Sequence, residues 1–224
     1  MRKPGATRTR RPKSMTRATI LERAYEMYLE REITHGDERL SVVLDDLGYT
    51  TGAGYQIWPN QGAFRLELQV YIAENIEYAD PAHVDSQIAD LSCQELSFRQ
   101  YTLAVGDLYA DYFLGREDFY LTLRFLAMGE DRPHEVTTAM RDAYVRLGWG
   151  ITERFTRALD VHGRRMRDPF TVEQLATATT ALVEGFALQH RIGLAAEPVA
   201  AEGADHHQFS VAFLGLVEFY TEPR

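Results

Sequence analysis

Residues 38–64, ERLSVVLDDLGYTTGAGYQIWPNQGAF, constrain the chain more than any other stretch. Leu40, Val43, Leu44 and Leu47 recur at three- and four-residue spacing, which lines them along one face of a helix. Gly48 follows, and a glycine accepts the left-handed backbone that closes a helix C-terminus. Thr50 stands where a hydroxyl caps a second helix. Pro59 ends that helix after about two turns, because proline disfavours helical geometry in the residue before it. A helix so short does not hold itself together, so it must pack against its neighbours and turn its other face outward. Two helices joined by a tight turn, the second facing out, form a helix-turn-helix of the kind that reads a major groove.

The run from Arg17 to Ile76 resembles the N-terminal domain of TetR-family transcriptional regulators. The likeness covers a first helix (ATILERAYEMYLERE), the helix-turn-helix and a fourth helix (NQGAFRLELQVYIAENI) that leads into a larger helical part. In that family the turn reads Ala-Gly-Val-Ser, then glycine, an apolar residue, tyrosine, a variable residue, an aromatic, phenylalanine and Ser-Lys. Here those places hold Leu47, Gly48, Tyr49 and Thr50, then Gly52, Gly54, Tyr55, Gln56, Ile57, Trp58, and Asn60 with Gln61. Gly54 replaces an apolar anchor, and a glycine inside a helix costs roughly 1 kcal/mol relative to alanine. Gln61 replaces a lysine that family members point at a phosphate, and the loop Ile33 to Asp37 is about two residues longer than usual. The resemblance implies an all-α fold: a flexible basic arm over 1–16, a helix-turn-helix domain over 17–62, and a larger ligand-binding and dimerisation domain over 63–224. The residues expected at operator DNA are Thr50, Thr51, Ala53, Tyr55, Gln56 and Gln61; Gln56 pairs bidentately with adenine, while Tyr55 supplies a phosphate contact and packing.

The net charge of -9 argues against a nucleic-acid partner until its placement is considered. Residues 1–17 carry seven bases (Arg2, Lys3, Arg8, Arg10, Arg11, Lys13, Arg17) and no acid; removing them from the 24 in the chain leaves 17 against 33 acids. A basic arm just ahead of a helix-turn-helix is either a solvated tail or an arm that follows the phosphate backbone or enters a minor groove. The single cysteine, Cys93, excludes an internal disulfide and fits a reducing compartment. No apolar run approaches the roughly 20 residues of a membrane span, so a soluble, cytoplasmic protein is expected.

Beyond residue 76 the periodicity predicts helices near 95–114, 116–129, 132–161, 171–194 and 206–220, and strand signals are absent. Thr171 with Gln174 forms a capping box just after Pro169, and residues 193–206 read as a flexible connection. Small residues on the helix from Thr171 to Ile192 (Ala176, Ala178, Ala181, Gly185) and the almost wholly apolar SVAFLGLVEFY suit either core helices or, as the resemblance implies, a four-helix interface across a two-fold axis. A homodimer is expected, with Gly185 and Leu214 at its interface.

The middle helices are rich in aromatics. Tyrosines among them need hydrogen-bond partners wherever they are buried, so a cavity between these helices has flat apolar walls with a few polar tips. That suits an aromatic or polyketide-like effector, and the expected lining is Tyr101, Tyr109, Phe113, Arg124, Tyr144, Trp149 and Phe186. Arg124, in LTLRFLAM, either pairs with a carboxylate, reaches solvent or meets an acidic ligand group. No metal or cofactor is expected: Asp45 and Asp46, Glu130 with His134, and His206 with His207 lack a matching ligand set, and no phosphate loop or nucleophile motif is present. The residues thus read as a non-enzymatic, ligand-responsive repressor; the alternative is a small-molecule or lipid-binding protein of the same fold that has lost specific DNA binding.

Overall fold

The computed structural model describes residues 13–30, 39–75, 81–116, 119–120, 123, 133–194 and 197–224. The residues cluster into two units. One runs to Asn75 and includes Pro133–Ala139, and the other holds the rest. The basic stretch 1–12, the loop 31–38, Arg124 and Glu130 lie outside the described residues.

The first unit is built on four helices: α1 (Lys13–Leu29), α2 (Leu40–Asp46), α3 (Thr51–Tyr55) and α4 (Gln61–Asn75). Ile20, Ala24, Leu40, Val43, Leu44, Trp58, Phe64, Leu68 and Ile72 form its core. Burial of each large apolar side chain contributes about 1.5–3 kcal/mol. Phe64, Leu68 and Ile72 recur at four-residue spacing and bury one stripe of α4, which packs on α1. That stripe packs α4 within this unit, which runs to Asn75.

In the second unit, α5 (Pro81–Ser92) and α6 (Phe98–Phe113) precede α7 (His134–Val161), whose first residues cluster with the first unit. Then follow α8 (Val172–Arg191) and α9 (Gln208–Tyr220), with α9 packed on α6 and α8. Capping boxes start two of these helices. Ser97 and Gln100 open α6, and Thr171 and Gln174 open α8 as their spacing predicts.

The α6–α9 contact is close: a Cβ on Gly106 would stand 2.8 Å from the Ser210 Cα. Beside it, the Asp107 carboxylate accepts from three donors on or just before α9. These are the His206 ring Nδ1 at 2.6 Å, the His207 backbone N–H at 3.0 Å and the Ser210 hydroxyl at 2.6 Å. Asp107 thus caps α9 from a neighbouring helix, where the orphan N–H groups and the dipole favour an anion.

Four short strands correct the expectation of none. β1 (Arg164–Met166) pairs antiparallel with β4 (Thr221–Pro223), and β2 (Val199–Ala201) pairs with β3 (Ala204–His206). The stretch read as a flexible connection therefore holds a hairpin. Its two-residue turn, Glu202 and Gly203, has φ of 49° and 88°, the sign that matches the twist of the flanking strands. Three-residue strands are too short to leave an alternating pattern in a sequence.

Candidate functional site

The helix-turn-helix is held from within. At the end of α2, Tyr49 N–H donates to the Leu44 carbonyl (2.7 Å) and Gly48 N–H to the Asp45 carbonyl (2.9 Å), which together form a Schellman motif. Gly48 takes φ 67° there, a value that explains the glycine. Thr50 has the extended backbone of a cap, but its hydroxyl makes no capping bond, contrary to the sequence reading. α3 spans five residues, shorter than the two turns expected.

Gly54 is the inward face of α3. A Cβ there would stand 2.4 Å from Leu44 Cδ1 and 2.9 Å from Leu40 Cδ2, so the side chains of α2 already occupy the space an apolar anchor would take. Trp58, 1% exposed, supplies the second inward contact. Its ring meets Phe64 edge-on at 5.2 Å, and its Nε1 donates to Glu67 Oε2 at 2.6 Å. The Arg17 guanidinium donates to the same oxygen at 2.7 Å and lies 5.5 Å from the Trp58 ring centre. One carboxylate therefore ties α1, α4 and the end of the turn together.

With the inward positions fixed, Thr50, Thr51, Tyr55 and Gln56 are exposed and Ala53 is half-buried, so these five lie on one small surface. Tyr55 is 51% exposed. Gln61 is different: its Oε1 accepts from the Leu40 N–H at 3.0 Å. The side chain caps α2 from the start of α4, a role that a lysine cannot fill because an ammonium has no acceptor. Asn60 caps α4 by accepting from Ala63 N–H at 2.9 Å. Asp46 binds Arg23 at 2.7 Å, and that hydrogen bond, although opposed by burial, holds the carboxyl below its ordinary range.

The second unit contains a cavity between α5, α6, α7, α8 and α9. It opens into about 940 Å³ of atom-free space, a figure that includes the open mouth. The walls are apolar and aromatic: Phe98, Tyr101, Val105, Phe113, Phe119, Leu147, Ile151, Phe155, Val183 and Phe213 face it. Tyr101, Tyr109 and Phe113 from the expected set are brought together here. Tyr144, Trp149 and Phe186 are not. Tyr144 donates to Glu184, Phe186 packs edge-on against Phe209 at 5.7 Å, and Trp149 is 71% exposed. The reason for Trp149 is angular: it follows the lining residue Leu147 by two positions, which turns it to the far side of α7.

Arg154 is the charged lining residue that sequence reasoning missed, although it continues the Leu147–Ile151 stripe at three-residue spacing. It donates to Asp85 on α5 at 2.7 Å and hydrogen-bonds the Tyr109 hydroxyl. Burial lowers the pKa of Arg154, but the bonds to Asp85 and Tyr109 outweigh it and the net shift is upward; burial likewise raises Tyr109. Among the described residues no cluster of three or more His, Cys, Asp and Glu side chains is placed to hold a metal ion. His206 and His207 instead meet Asp107 and Asp111. No helix among the described residues is long and apolar enough to cross a membrane.

No sequence profile of a known family matches the chain, and no curated protein sequence does. Solved structures do. The reduced form of NemR from E. coli superposes with a TM-score of 0.55 over 94% of this chain and 98% of that one, at 17% identity. A TetR-family regulator from Cytophaga hutchinsonii gives 0.55 over 95% and 98%, at 16% identity. The chain has the fold of the TetR-family transcriptional regulators.

Proposed function

We propose that the protein is a homodimeric, effector-responsive transcriptional regulator that represses by binding operator DNA through α3. The observation that carries this reading is the two-sidedness of α3 and the residues just after it: an inward side fixed by Gly54 and Trp58 and an outward side of exposed hydrogen-bonding residues. Thr51, Tyr55 and Gln56 are suited to base and phosphate contacts, with Thr50 and Ala53 alongside. The cavity of the second unit is the effector site in this reading. Effector binding favours a dimer state whose recognition helices are wrongly spaced for one operator face, and by linkage DNA weakens effector binding by the same factor.

The dimer face is proposed on α8 and α9. Leu188 and Phe219 are 52% and 58% exposed, and a methyl group added at Gly185 would meet nothing within 4 Å. Leu214, expected at that interface, is 3% exposed within the single chain and belongs to the core, so the exposed Gly215 is the better probe. A second reading, a ligand-binding protein without operator affinity, draws support from the absence of any basic side chain on α3 and from Gln61 being used as a cap.

A mobility shift with DNA from the gene's own upstream region separates the two. Operator binding that Gly215→Arg abolishes, together with a halved mass in light scattering, supports the regulator. No protected site in a promoter-wide footprint supports the second reading.

A further inference from the structure

The cavity holds two polar groups whose states point to its ligand. Thr179 lines it, is 4% exposed, and its hydroxyl has no hydrogen-bond partner. Thr102, Thr156, Thr177 and Thr180 also sit on helices of this unit, and each donates to the carbonyl four residues earlier. The same bond is sterically open to any helical threonine. A buried hydroxyl without a partner is destabilising, and a ligand group bonded to it would recover that loss. The second group is Arg154, the one cation among the described lining residues. Its side chain is 18% exposed, whereas its partner Asp85 is 47% exposed. Asp85 is thus free to turn into water while Arg154 is not.

We propose that the ligand is an aromatic acid: its ring lies between the apolar walls, its carboxylate takes the Arg154 guanidinium in place of Asp85, and a polar ring substituent meets the Thr179 hydroxyl. This rests on the reading of the cavity as the effector site. A carboxylate carried into an apolar slot needs a charged, hydrogen-bonding partner, and a guanidinium offers the bidentate one. Exchange at Arg154 also releases α5 from α7, because Asp85 is on the first and Arg154 on the second.

The test is calorimetric titration of the full-length protein with benzoate, the three hydroxybenzoates and the matching carboxamides. At least one acid binds tenfold or more tighter than its amide. Arg154→Met brings that ratio close to one, and Asp85→Asn, which removes the competing carboxylate, raises affinity for the acid severalfold and leaves the amide unchanged. Thr179→Val weakens the preferred hydroxybenzoate and not benzoate. Equal binding of acids and amides by the wild type, or no binding by any of them at millimolar concentration, overturns the proposal. If Arg154→Met fails to fold, the Asp85→Asn ratio decides. Operator binding measured without additives is independent of these titrations: retained DNA binding with no acid preference sinks the ligand class alone, and acid preference without DNA binding sinks the regulator alone.

Discussion

Asp107→Ala should cost the fold about 3 kcal/mol. The substitution strips one acceptor from three donors, and their surroundings set the separate losses. The Ser210 hydroxyl is 0% exposed, so it is stranded and costs about 1–3 kcal/mol. The His206 ring, 11% exposed, loses a bond worth about 0.5–1.5 kcal/mol, and the His207 N–H loses a cap that water replaces in part. Asp107→Asn keeps an amide oxygen for two of these donors and should cost about a third as much. Urea unfolding followed by circular dichroism measures both. A double-mutant cycle with Ser210→Ala then isolates the stranded hydroxyl, because removing it should restore about 1–2 kcal/mol in the Asp107→Ala background. A loss below about 1 kcal/mol for Asp107→Ala, or no recovery with Ser210→Ala, would refute the reasoning that this carboxylate holds α9 to α6.

Gly54→Leu, which restores the side-chain class usual at that place, should destabilise the first unit by about 1–3 kcal/mol and remove operator binding, because Leu40 and Leu44 already fill the space; thermal melting and a mobility shift check this. Gln61→Lys should lower stability by about 1 kcal/mol through the lost Leu40 cap, while Gln61→Glu keeps the acceptor and does not; equal melting points for the two variants would discount the cap. Burial holds the His162 imidazole below its ordinary range, so the unfolded chain takes up the proton first as pH falls. Its contribution is whole above the unfolded value of about 6.5 and is lost as pH falls through the lower folded value. His162→Phe should therefore flatten the fall in stability between about pH 7 and 5, read from urea midpoints at stepped pH.

The helix-turn-helix was legible because its signals are local: apolar spacing over Leu40–Leu47, a glycine at the turn, a proline beyond it. The Thr171–Gln174 box was legible for the same reason. What escaped depends on contacts distant in sequence. Gln61 reads as a substituted phosphate ligand until its bond to Leu40, 21 residues earlier, is seen. Gly54 reads as a missing anchor until Leu44 is found in its place. Trp149 and Arg154 are separated by counting from Leu147 at helical spacing, a local signal that sets Arg154 on the cavity side of α7 and Trp149 on the other. The three-residue strands leave no periodic trace, and Asp107 as a cap for α9 joins residues about a hundred positions apart.

The two sides of α3 answer to different selection pressures. Gly54 and Trp58 are set by the packing of this one molecule, so drift there is paid in folding. Thr51, Tyr55 and Gln56 are exposed, and exposed positions typically change stability by no more than about 0.5 kcal/mol when replaced. At these three positions, then, a lineage could rewrite the sequence it recognises without renegotiating its fold. A library randomised at those outward places is expected to stay folded throughout while its members diverge in what they bind.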